Sequence, residues 1–202
     1  MTRFSVRCSL GPLVAVTTLI ASIAVLGAQT TGSALPQRFT AFAVNMDSMV
    51  GRTGAQTVDI VVDRWSTEAE RTRLLSLLQE KGPDKLLDAL NAIPRVGYIK
   101  TPDSLGYQLH FASETPGEDG GSHIVIATDR YISFWEAANR PRTIDYPFTV
   151  IELHMKADGT GEGKMSIATK ITMDKKRDAI VLENYGTEPV RLNNVRRETK
   201  TR

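Results

Sequence analysis

Cysteine is the first thing this chain lacks: its 202 residues include one, Cys8, near the N-terminus. A domain without cysteine has no disulfide, no thiolate nucleophile and no cysteine-ligated zinc, so its stability must come from an apolar core. Net charge is nearly missing too. There are 25 Lys and Arg against 23 Asp and Glu, and loss of Arg3 and Arg7 with a leader would leave the balance at zero. A neutral surface with interspersed signs argues against a nucleic-acid binder, which needs a basic face for phosphates. It argues equally against a polybasic membrane-surface protein.

Several catalytic and binding motifs are absent as well. No G-x-S-x-G elbow occurs, and no alternating βαβ pattern would support one. Gly159, Gly161 and Gly163 precede Lys164, but a phosphate loop needs four residues between its glycines, and Ser or Thr where Met165 stands. Nor does a strand-loop-helix context follow, as a dinucleotide site requires. A calcium loop counted from Asp158 would want Glu at its twelfth position and finds Thr169. Asp-Gly between alternating segments is instead the signature of a hairpin turn. Asp59 and Asp63 share a strand face, yet their backbones would lie roughly 13 Å apart, which fits a solvated edge better than an acid/base pair.

What is present begins with a leader. Arg3 and Arg7 precede an uncharged run from Leu10 to Ala28 that ends in small residues. These are the parts of a secretory signal peptide cut after Ala28, and the rival reading is an uncleaved membrane anchor. Both imply export, to the periplasm or the exterior. No twin-arginine pair occurs, so the general secretion route is expected. Residues 29–37 read as a flexible spacer, residues 38–197 as one β-rich domain, and residues 198–202 as a frayed tail.

Within the domain, RFTAFAVNM and AQTVDIVVDRW alternate as strands. RWSTEAERTRLLSLLQ then breaks the β pattern. Thr67 and Glu70 fit a capping box, Leu74, Leu77 and Leu78 recur at helical spacing, and Gly82-Pro83 stops the helix. A second arm carries Leu86, Leu90 and Ile93 before Pro94. The two arms form a helical hairpin over 67–93 that buries leucine against itself and one sheet face or barrel opening, as a plug rather than a lid. Strand segments resume after Pro94 and continue to the C-terminus, two pairs of them joined by the turn-rich ETPGEDGGS and ADGTGEG. The expected fold is mainly β (α+β): an antiparallel barrel or sandwich of about eight strands with the helical hairpin inserted after strand 2.

Two constellations stand out for function. The segment ISFWEAANRPRTIDYPF gathers Trp135, Arg140, Arg142 and Tyr146 in an irregular connection, where binding residues often lie. The competing interpretation has these aromatics folded over an open barrel end. His110, His123 and His154, each on a strand segment, form the available metal set. A hairpin through the loop from Glu114 to Gly121 with Ala112 opposite His123 makes His110 and His123 diagonal neighbours on one sheet face.

No cofactor is implied, and no catalytic residue is assigned. The expected function is a non-enzymatic small-ligand-binding or interaction module of the cell envelope, with an apolar small molecule or an envelope protein as partner. The alternatives are a small β-fold enzyme, metal-assisted through the histidines, and an envelope structural protein anchored by its N-terminal segment. Membrane contact is expected only through that segment.

Overall fold

The computed structural model describes residues 35–46, 54–102, 105–117, 120–129, 146–174, 176, 179–184 and 188–198. Chain order is β1 (Gln37–Asn45), β2 (Gly54–Val62), α1 (Glu68–Lys81), α2 (Pro83–Asn91), β3 (Gly97–Lys100), β4 (Tyr107–Leu109), β5 (Phe111–Pro116), β6 (Ser122–Thr128), β7 (Phe148–Met155), β8 (Thr160–Asp174), β9 (Ala179–Asn184) and β10 (Val190–Glu198). All pairings are antiparallel. The sheet runs β4-β3-β2-β1-β10-β8-β7-β6-β5, with β9 pairing the far half of β8. Its two ends, β4 and β5, are one stretch of chain interrupted only at His110. The sheet therefore nearly closes on itself, and counting β4 with β5 and β9 with β10 gives the barrel of about eight staves that strand spacing implies.

Alternation sorts each strand into two faces. The inward face carries Phe39, Ile60, Ile99, Leu109, Ile124, Ile126, Ile151, Leu153, Met165 and Leu192, all fully buried. Neighbouring strands hold them side by side, as in the pairs Phe39 with Ile60, Ile60 with Ile99 and Ile126 with Ile151. These large apolar side chains make up the inward-facing core. One end of the interior is polar: Arg197 stacks 5.2 Å above the Phe39 ring, pairs with Glu114 and donates to Ser122 Oγ at 3.1 Å.

Glycine and bulges bend this sheet where side chains cannot. A Cβ on Gly161 or Gly163 would collide with the β7 carbonyl oxygens of His154 and Glu152, so the close approach of β8 to β7 requires glycine there. In β10 the register shifts between Leu192 and Val195, and Asn194 takes the left-handed conformation at φ 52°. Asparagine tolerates that region better than most residues. The glycine-rich ADGTGEG is a hairpin turn: Lys156 N–H bonds Thr160 O at 2.7 Å, and Asp158 accepts from the Thr160 amide and hydroxyl. Those two bonds hold the Asp158 carboxyl below its ordinary pKa.

The helical hairpin forms as its sequence signals require. Thr67 Oγ1 accepts from Glu70 N–H at 3.2 Å and the Glu70 carboxylate accepts from Thr67 N–H at 2.8 Å, a complete capping box. Gly82, at φ 79°, ends α1, and Pro83 opens α2 at a position where its missing N–H costs nothing. Arg64 forks onto both Glu70 carboxylate oxygens at 3.0 Å and also bonds Pro94 O at 3.1 Å, tying the start of α1 to the end of α2. That guanidinium, ahead of the cap bonds, holds the Glu70 carboxyl below the usual glutamate range. Ser66 exchanges two bonds with the Ala112 backbone, so the hairpin is fixed to β5 at its base. Among the described residues no helix is long and apolar enough to cross a membrane.

A cleft between the helical hairpin and the barrel wall

His110 is where the barrel's wall changes face. Leu109 points inward, and after His110 it is Ala112, not Phe111, that is fully buried within. The ring is held by Nδ1, which donates to Ile93 O at 2.8 Å because a carbonyl can only accept. Its Nε2 lies 3.7 Å from Asp129 Oδ1. This histidine thus anchors the end of the helical hairpin to the barrel.

Beyond this kink the outward faces of β5, β6 and β7 make a platform. Cross-strand pairing builds it in rows: Phe111 beside Ala127 and Val150, Ser113 beside Val125 and Glu152, Thr115 beside His123 and His154. The helical hairpin turns Leu74, Leu78, Leu86 and Leu90 toward it. On the other side β8 and β9 extend past the barrel as a two-stranded arm, pairing Ile171 with Leu182 and Met173 with Ile180.

Between hairpin, platform and arm lies a cavity of about 390 Å³. Leu74, Leu75, Leu78, Leu86 and Leu90 form one wall, Phe111, Val125, Ala127 and Val150 the floor, and Ile171, Ile180 and Leu182 the far side. Polar groups join the lining from Arg71, Ser113, Thr115, His123 and Glu152. This volume lies within the range of small-molecule sites, and an apolar lining with a few polar groups is their usual composition. The hairpin therefore covers a sheet face, one of the two positions its leucine stripes allow, and does so without closing the space beneath it.

His123 and His154 are direct cross-strand partners, with ring centroids 4.6 Å apart and planes 17° from parallel. Glu152, two residues before His154 on the same strand face, joins them, and one ligand atom from each of the three lies within 4.8 Å of the others. Glu152 also pairs with Lys164 at 3.2 Å. The expected set of three histidines is thus redistributed. β5 runs to Pro116 and the loop tightens to a Gly117 N to Gly121 O bond of 3.0 Å, which puts Thr115 rather than Ala112 opposite His123, while the pairing of β6 with β7 sets His123 against His154. His110 stands apart, engaged with Ile93 and Asp129. A Glu-x-His alternation on a strand was the signal for Glu152, and the cross-strand histidine was not readable without the register.

Of the proposed binding stretch, Tyr146 donates its hydroxyl to Glu183 Oε1 at 2.9 Å, linking the entry to β7 with β9. Trp135, Arg140 and Arg142 lie outside the described residues. Asp59 and Asp63 face Lys100 and Arg95 at 3.9 and 3.1 Å, the paired and partly solvated edge their spacing suggested.

Comparison with known proteins found no matching family, no matching characterised relative and no matching solved structure. The class is therefore defined by the chain alone: a mainly antiparallel β-barrel-like fold with a helical hairpin after its second strand.

Proposed function

We propose that this chain is an exported, non-enzymatic binding module of the cell envelope that takes an apolar or amphiphilic small molecule between its helical hairpin and its barrel wall. One observation carries the reading: the cavity of about 390 Å³ is walled by leucine, isoleucine, valine and phenylalanine, while five polar side chains share its lining. A hydrocarbon segment would lie against the leucines, and a polar head would meet Arg71, Ser113 and Thr115. Burial of apolar surface at about 25 cal/mol per Å² drives such binding, and a few polar groups orient the ligand. Export rests on the leader-like N-terminal segment, through a cleaved signal or a retained anchor. The near-neutral charge supports a partner other than nucleic acid.

The test is native mass spectrometry of protein purified from its own envelope, with a titration of a fluorescent apolar dye alongside. Stoichiometric small-molecule adducts, and dye binding lost in a Leu75→Trp variant that fills the cavity, are the expected results. A consistently empty protein that binds dye no better than its cavity-filled variant would overturn the reading.

A further inference from the structure

We propose that His123, Glu152 and His154 form a binding site for a zinc-class divalent cation at the polar edge of the cleft. The placement follows from the sheet. Residues i and i+2 of one strand share a face, and the residue directly across from one of them completes a triangle. Glu152 and His154 are the first two, and His123 is the third. Two imidazoles and a carboxylate are a zinc donor set, with three protein ligands leaving a fourth tetrahedral position for water.

The distances agree with an uncontracted site. Ligand atoms around a tetrahedral zinc lie about 3.4 Å apart, given zinc–nitrogen bonds near 2.0–2.1 Å. Here they lie within 4.8 Å of one another, so closure needs movements of roughly 1.4 Å. His154 is exposed and free to make them by side-chain rotation. A second observation points the same way: His123 Nε2 is buried without a hydrogen-bond partner. Buried polar atoms usually have a partner, and an ion or an ordered water meets such an atom at a cluster of donors. Lys164, which pairs with Glu152, is a cation that a metal would displace. The site does not depend on an apolar ligand in the cleft, although His123 and Glu152 belong to its lining.

The experiment uses the untagged full chain, stripped by chelator and titrated with Zn²⁺ alone by calorimetry, then with Co²⁺ to read the visible bands of a tetrahedral centre. One equivalent should bind, with affinity falling in acid, since the metal needs deprotonated ligands. Loss of a supporting partner beyond the ligands costs 10–100-fold in metal affinity, so losing a direct ligand in His154→Ala or Glu152→Gln should cost about 100-fold or more. His110→Ala should leave affinity unchanged, and Lys164→Gln should tighten it several-fold. Both ligand variants lie on the barrel's outer face, so they test the site even if His123→Ala fails to fold. Absence of stoichiometric binding in the wild type, or binding untouched by His154→Ala and Glu152→Gln, would overturn the proposal.

Discussion

Strands β5, β6 and β7 present two faces that share one backbone and differ in what covers them. Inward, Ala112, Ile124, Ile126, Ile151 and Leu153 are 0 % exposed and meet side chains of the opposite staves. Outward, Phe111, Val125, His123 and Glu152 are only half-buried, under a helical hairpin that leaves a cavity. The inward face is buried because every stave sets an apolar side chain toward the others. Its exterior is filled only as far as an added element fits, and here the helices and arm meet the wall at their margins. The general lesson is that the open apolar space of a small barrel-like sheet can lie outside it, where packing is less constrained.

The contrast can be broken most forcefully from inside. Leu153→Ala and Ile126→Ala each remove a fully buried side chain that has no room to be replaced, so unfolding in urea should show losses of about 2–5 kcal/mol. Equivalent truncation at Leu75, on the cleft, should cost less than half as much. Equal costs at the two positions would show that the cleft closes as tightly as the core.

Next comes the hairpin itself. Leu90 is 2 % exposed, and Leu90→Asp would bury a carboxyl without a partner, at a cost of several kcal/mol. Leu77 packs against the same core but is partly exposed, and Leu77→Asp should cost less, about 1–2 kcal/mol. A structural wall loses stability in both variants. A mobile lid would instead keep its melting temperature and lose only dye binding.

Acid should loosen the hairpin before it touches the barrel. The Glu70 pKa is depressed, chiefly by Arg64, so its stabilising effect is complete above the ordinary glutamate value and disappears as pH falls through the lower, folded value. Glu70→Gln should cost about 1 kcal/mol near neutral pH and flatten that part of the acid dependence. Hydrogen exchange of the α1 amides, compared with those of β6 at about pH 7 and about pH 3, reads the difference directly. The smallest effect belongs to the exposed pair of Lys85 and Asp88, 3.0 Å apart on α2. Lys85→Ala should change stability by about 0.5 kcal/mol or less in urea titration; a larger loss would mean the hairpin is held by its surface more than by its leucines.

The features legible in the sequence were those fixed by neighbours a few residues away. The capping box of Thr67 and Glu70, the Gly82-Pro83 break, the leucine spacing of both arms and the hairpin turn around Asp158 all depend on contacts within about four residues. Alternation located the strands for the same reason, and their number and short spacing gave an antiparallel barrel or sandwich. The candidate site was only half legible. His123 and His154 stood out as strand histidines, and Glu152 shared a face with His154, but nothing local joined the two strands.

The tertiary structure decided the rest, because register is a property of two strands and neither carries it alone. Sliding β5 against β6 by one residue would send every paired side chain to the opposite face. The loop through Gly117 and Gly121 fixes the register of β5 on β6, and the separate pairing of β6 with β7 brings His123 to His154. The kink at His110 turns Phe111 outward and gives the cleft its floor. The sequence by itself determined an antiparallel β domain with a capped helical hairpin, since short-range sterics and hydrogen bonds suffice for both. The near-closure of the sheet, its buried inward face and the open space outside it follow only from long-range packing, which brings residues as distant as Leu74 and Leu182 to the same cavity.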